Sequence, residues 1–166
     1  LGAQLLAAAL GGETGRMTAP EVGWKRMTLS PQGREDAMFA GQPWTVEQFC
    51  WHSDQVTKLP EGATLLASSA ACKVQAFAVG HRTYGLQYHA EWSAATVKHQ
   101  VEGGAAELKA AGADAAAILA DTTKFADTSA RLAKRFFDAV SVLLMPADRL
   151  NKGIVIDHNR EPLVGY

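Results

Sequence analysis

The 166-residue chain has only two cysteines, Cys50 and Cys72. Two are too few for a disulfide framework, so a reducing cytoplasm is the expected compartment and disulfide-stapled secreted domains are excluded. Nor is there an excess of charge of one sign, since Lys and Arg total 16 against 17 for Asp and Glu. A phosphate backbone would meet no surplus of cations, which argues against nucleic acid as a partner. No apolar run approaches the roughly 20 residues that span a bilayer, so no membrane partner is expected. Signal-peptide pattern and initiating Met are both missing, and the opening Leu1-Gly2-Ala3-Gln4 reads as a cut. What remains is 48% hydrophobic, enough for one sizeable core, and the length favours a single domain.

Periodicity supplies the elements. Leu5, Leu6, Ala9 and Leu10 form a helical stripe ended by Gly11 and Gly12. Val22 to Leu29 and Thr45 to His52 read as strands, separated by the turn-rich stretch Ser30 to Asp36. Ala63 to Ser68, Val74 to Val79 and Thr83 to His89 read as three more, the last two joined tightly by Gly80-His81-Arg82. Ser93 suits the N-cap of an Ala-rich helix from about Ala94 to Ala110, which Gly103-Gly104 weakens from within. Ala133, Phe136, Phe137, Val140, Leu143 and Leu144 recur at helical spacing and predict an amphipathic helix from about Asp127 to Leu144, before Pro146. The tail from 145 to 166 matches no pattern.

Chemistry concentrates in Tyr84-Gly85-Leu86-Gln87-Tyr88-His89-Ala90-Glu91. Period-two geometry puts His89 on the face opposite Tyr84 and Tyr88, and an extended backbone through Ala90 would point Glu91 the same way. A carboxylate so placed fixes an imidazole's tautomer and stabilises it once protonated, as a general base serving a nucleophile requires. Taken alone, such a pair is usually solvated surface. A metal reading of His89-x-Glu91 fails because no P-C-x-x-C follows, and neither a metal nor a cofactor is expected. Cys50 and His52 share a strand face, but Cys50 lacks an elbow to expose its sulfur and reads as buried structure, as does Cys72. His52 reads as a structural hydrogen-bonding residue, and His81, His99 and His158 carry no pattern.

Other segments give His89 and Glu91 a context. Leu1, Gly2, Ala3 and Gln4 fit the last four positions of a G-x-C-x-G-x-Q elbow. Pro20-Glu21-Val22-Gly23-Trp24, Trp51-His52-Ser53-Asp54-Gln55-Val56, Leu59-Pro60-Glu61-Gly62-Ala63 and Gln75-Ala76-Phe77 then follow in order. With these motifs the chain resembles the class I (triad-type) glutamine amidotransferase domain, most closely members similar to the glutaminase half of GMP synthetase. The resemblance covers roughly residues 1 to 110, in a domain expected to run to 144.

That resemblance implies an α/β fold, an open, mainly parallel, three-layer flavodoxin-like sheet flanked by helices and carrying a few antiparallel strands. Its first strands and the nucleophilic cysteine would lie upstream of Leu1. The implied reaction is hydrolysis of glutamine's side-chain amide through a cysteine thioester. His89 would be the general base and Glu91 its orienting carboxylate, with the backbone N–H of Leu1 as an oxyanion donor. Gln4, Trp51, Ser53 and Asp54 would hold the substrate, the last three on a loop. Two positions depart from the family: Ala90 stands where most relatives carry proline, and Ala3 where histidine is frequent. The implied partners are glutamine or a γ-glutamyl compound and an ammonia-accepting synthetase. Alternatives are a γ-glutamyl peptidase of the same fold and a non-catalytic binding subunit.

Overall fold

In a computed structural model, which describes residues 1–144, two long strands carry the architecture. The tail 145–166, with Pro146 and His158, lies outside the described residues. β1 (Glu13–Leu29) and β2 (Thr45–Lys58) pair antiparallel from Glu13 opposite Lys58 to Thr28 opposite Thr45. Both exceed the alternating stretches read from the sequence, since β1 starts at Glu13 rather than Val22 and β2 ends at Lys58 rather than His52. The added lengths are largely polar and exposed, held by the ladder rather than by a buried face, so they leave no alternation to read. Where Pro20 cannot donate a ladder hydrogen bond the register slips. Arg16 faces Asp54 and Glu21 faces His52, leaving Met17 to Pro20 across Ser53 alone.

β3 (Ala63–Ser68), β4 (Ala76–Val79) and β5 (Thr83–Leu86) complete a five-stranded sheet in the order β2-β1-β3-β4-β5. The sheet is not mainly parallel: every pairing among the described residues is antiparallel. Parallel neighbours need a crossover of about a dozen residues or more. Here β2 to β5 follow one another through the short connections 59–62, 69–75 and 80–82, while the longer helices precede β1 or follow β5. β4 and β5 are also shorter than predicted, regular pairing ending at Ala76 opposite Leu86, although Gln87 N–H still donates to the Gln75 carbonyl at 2.8 Å.

Among the described residues three apolar clusters cover this sheet. α1 (Gly2–Ala9) lays Ala3 and Ala7 against Val56, Val74 and Phe77. Met27, Cys50, Leu66 and Tyr88 pack with Met38 and Phe39, which follow the short α2 (Pro31–Glu35), and with Phe136. A third cluster joins Val22 and Phe49 to Val97, Val101, Leu108 and Ile118 of the helical layer.

That layer corrects two expectations. The helix predicted from Ala94 to Ala110 is broken into α3 (Ala94–Gly103) and α4 (Ala105–Ala111). At Gly104 a Cβ would overlap the Trp51 ring, so the junction presses glycine backbone onto the indole. The helix predicted from Asp127 begins much earlier, as α5 (Ala115–Leu143), with the Asp114 carboxylate accepting from Ala116 N–H at 3.0 Å. Its inner face runs through Ile118, Thr122, Ser129 and Phe136. Thr122 accepts Trp24 Nε1–H at 2.9 Å and Ser129 donates to Gln48 at 3.4 Å, so a polar middle concealed the stripe. Among the described residues no helix is long and apolar enough to cross a membrane.

The two adjacent glycines give a paired test. A Cβ on Gly103 meets nothing within 4 Å, so Gly103→Ala should leave stability unchanged or raise it by up to about 1 kcal/mol through helix propensity. Gly104→Ala should lower it by about 1–3 kcal/mol through overpacking on Trp51. Urea denaturation of both variants measures the contrast, and equal effects would remove the steric account of the break.

Candidate functional site

His89 is aimed by β2 rather than by strand alternation. β5 stops at Leu86 and the chain turns through Gln87 and Tyr88, both buried, before His89 N–H donates to the Phe49 carbonyl at 2.8 Å. Its Nδ1 then lies 2.8 Å from Glu91 Oε1, although Ala90 and Glu91 form a turn instead of an extended segment. An ionised carboxylate only accepts, so Nδ1 carries the hydrogen and Nε2 is left to exchange a proton. The imidazole lies flat on Trp92, ring centroids 4.1 Å apart and planes 19° from parallel. Trp92 is in turn backed by Phe49 at 5.3 Å. Burial is the largest single influence on the Glu91 carboxyl and pushes its pKa up, but the His89 hydrogen bond and smaller attractions outweigh it and leave the group below its ordinary 4.5.

Gln4 ties the first turn of α1 to this region. Its Nε2 donates to the Asp54 carbonyl at 2.9 Å and to Gln87 Oε1 at 3.0 Å. Leu1 starts that helix with 85% of its surface exposed. Trp51, Ser53 and Asp54, expected on a loop, lie within β2. The Trp51 indole stacks on Phe49 at 6.2 Å and sits beneath Gly104, so its side chain is packing material. Ser53 is half-buried opposite the β1 bulge. Asp54 is exposed, with its carboxylate 3.6 Å from Arg16 and its carbonyl also meeting His52 Nδ1 at 3.0 Å. The structure thus joins Gln4, Asp54 and the segment entering His89, and turns Trp51 toward the helices. Gln87 and Trp92 were missed in the sequence; Trp92 directly follows Glu91, and its size beside a candidate base was the available signal.

Neither cysteine is poised to react. Cys50 lies inside β2 and Cys72 in the 69–75 connection, both fully buried. Burial, reinforced by the Glu21 charge, pushes the Cys50 thiol well above its ordinary range. Burial also lifts Cys72, to about 11, against hydrogen bonds involving Val74 and Gln87. Beside them, the Glu21 carboxylate accepts from Ser69 Oγ at 2.7 Å and Gln75 Nε2 at 2.5 Å, and faces His52 Nε2 at 3.3 Å. Glu21, Cys50 and His52 hold donor atoms within 4.8 Å of one another, close enough to share an ion.

Sequence comparison matches residues 1–102 to the family described as glutamine amidotransferase class-I. Over 94 residues the chain is 38% identical to a GMP synthase (glutamine-hydrolyzing) subunit of Methanocaldococcus jannaschii, covering 55% of this chain and 47% of that protein. It is 31% identical over 96 residues to gamma-glutamyl peptidase 3 of Arabidopsis thaliana, covering 55% of this chain and 39% of the relative. A solved glutamine amido transferase from Methylobacillus flagellatus superposes with a TM-score of 0.72 at 28% identity, over 86% of this chain and 60% of that one. The chain spans about half the length of the synthase subunits it matches.

Thiol chemistry checks the site geometry directly. A pKa near 11 in place of the ordinary 9.0 lowers the thiolate fraction of Cys72 at pH 8 by ~10²-fold. Native protein should therefore take up iodoacetamide at least ~10²-fold more slowly than protein in denaturant. Rapid stoichiometric labelling of native Cys50 or Cys72 would contradict their burial.

Proposed function

Because this chain belongs to the class-I glutamine amidotransferase family, we propose that it supplies the acid–base half of a site that hydrolyses the side-chain amide of glutamine. The observation that carries the reading is the 2.8 Å contact between His89 Nδ1 and Glu91, with the imidazole held flat on Trp92. The nucleophile is a cysteine outside these 166 residues, immediately before Leu1, on a strand-to-helix turn continuous with α1. Upstream strands then supply the parallel part of the sheet. The burial of Cys50 and Cys72 supports this assignment, because covalent catalysis needs an exposed, activated thiolate.

In this mechanism His89 Nε2 accepts the proton of the cysteine thiol as sulfur attacks the amide carbon, and the carbonyl electrons move onto oxygen. The backbone N–H of Leu1, once part of a peptide bond, donates to that oxyanion. Collapse of the tetrahedral intermediate breaks the C–N bond, and the nitrogen leaves as ammonia with the proton carried by His89. His89 next takes a proton from water, which attacks the γ-glutamyl thioester and releases glutamate and the thiol. Glu91 keeps Nδ1 protonated and stabilises the imidazolium. Gln4 and Asp54 border the pocket for the amino-acid end of the substrate. Trp92 and the Phe49 carbonyl take over the positioning that a proline at Ala90 provides in most relatives.

The GMP synthase subunits among the relatives support a synthetase partner that consumes the ammonia. The Arabidopsis relative favours a second reading, cleavage of a γ-glutamyl conjugate by the same steps. Competition between glutamine and a γ-glutamyl dipeptide for one active enzyme separates the two.

The test uses the protein extended upstream through that cysteine. His89→Ala should lower kcat for glutamine hydrolysis by at least ~10²-fold, and Glu91→Gln by less, since it orients rather than transfers. Because the Glu91 pKa is depressed in the folded protein, the pair is intact above the ordinary carboxylate range and fails as pH falls through the depressed value. Glu91→Gln should therefore lose that acidic step. Near-normal turnover of His89→Ala removes His89 from the mechanism. The 166-residue chain alone should release no ammonia above a protein-free control, and activity there that vanishes in Cys50→Ser would make Cys50 the nucleophile.

A further inference from the structure

On the β1/β2 ladder, Glu21 stands directly opposite His52, and Cys50 lies two residues along β2 on the same face. This puts a carboxylate, an imidazole and a thiol within 4.8 Å of one another in the protein interior. We propose that these three side chains form a structural site for a divalent transition metal of the zinc type.

The imidazole is oriented for such a role. His52 Nδ1 faces the Asp54 carbonyl at 3.0 Å, and a carbonyl only accepts, so Nδ1 carries a hydrogen and the neutral ring offers its lone pair on Nε2. That nitrogen is buried and has no hydrogen-bond partner among the described residues. Glu21 Oε2 is 3.3 Å away, near enough for an ion pair but not aligned for a hydrogen bond. Two ligand atoms each 2.0–2.1 Å from a tetrahedral zinc ion stand about 3.3 Å apart, so this spacing is that of two ligands on one centre.

The surroundings fit as well. Ser69 and Gln75 donate to the two oxygens of Glu21 and hold the carboxylate, as second-layer partners of metal ligands do. Gln75, itself fully buried, has an amide oxygen without a partner, and its nitrogen reaches both Glu21 and Cys50. Charge closes too: a dication with one carboxylate, one thiolate and one neutral imidazole is neutral, which an apolar interior favours. The Cys50 thiol proton leaves to solvent on binding. Mixed N, O and S donors suit Zn²⁺, and Co²⁺ reports the same geometry by absorption. Bound there, the ion would lock the Trp51–Asp54 stretch on which Gln4 rests, whatever the substrate.

The experiment titrates the metal-free, reduced 166-residue chain with Co²⁺ under anaerobic conditions. A thiolate-to-cobalt charge-transfer band should grow and saturate at about one ion per chain, disappear on adding Zn²⁺, and be accompanied by a higher Tm. Cys50→Ser should abolish the band, whereas Cys72→Ser should keep it, with circular dichroism confirming that each variant is folded. Should Cys50→Ser not fold, the unsubstituted chain decides by comparison with the same titration in urea, where the band should be absent. No band in the folded chain, a band that persists in urea, or one lost in folded Cys72→Ser but kept in Cys50→Ser overturns the proposal.

Discussion

The antiparallel ladder between β1 and β2 is covered on both faces, and that double burial decides where the remaining elements go. One face takes Met27 and Cys50 into a cluster with Leu66, Tyr88 and Phe136, while the other presents Val22 and Phe49 to α3, α4 and α5. Aromatic contacts gather on the second face, where Phe49 touches Trp24, Trp51 and Trp92. Each such pair adds about 0.5–1.5 kcal/mol beyond the area it buries. An exposed ion pair such as Arg26 with Glu47 contributes on the order of 0–1 kcal/mol. The aromatic cluster therefore sets the seat of the helical layer, and surface charge only trims it.

The ladder also carries the polar interior. A carboxylate buried like Glu21 is costly unless its lone pairs are occupied, and Ser69, Gln75 and His52 converge on it from the 69–75 connection and from β2. Burial, the largest influence, raises the Glu21 pKa, but His52, the Ser69 hydrogen bond and the Lys25 charge outweigh it and hold the group below its ordinary value. Removing one partner while keeping the charge would leave the rest of the cost unmet. The connection 69–75 is thus held in place by polar contacts as much as by packing.

The candidate site hangs from the same strands. The Phe49 carbonyl fixes the backbone of His89, and the Phe49 ring backs the Trp92 indole on which the imidazole lies. One residue of β2 thereby sets both the position and the plane of the ring. Gln4 extends the arrangement to α1 through Asp54 and Gln87. A positioning network of this kind does not need a stiff residue between His89 and Glu91, and Ala90 occupies that place buried.

By itself the sequence determined the family, the pairing of His89 with Glu91, and the approximate places of all five strands, because those features are encoded in residue order and short spacings. Local alternation sufficed for β3, whose ends agree with the reading. Tertiary structure decided the rest. Whether neighbouring strands run parallel depends on how connections cross the sheet, and short connections made the β3–β4 and β4–β5 pairings antiparallel. The early start of α5 was invisible to apolar periodicity because Thr122 and Ser129 are buried through hydrogen bonds to distant Trp24 and Gln48. Trp51 shares the helix-facing side of β2 with Phe49, and its ring fits there because Gly104, far along the chain, carries no Cβ. Such contacts depend on residues some 50 to 100 positions apart, and only the folded chain brings their side chains together.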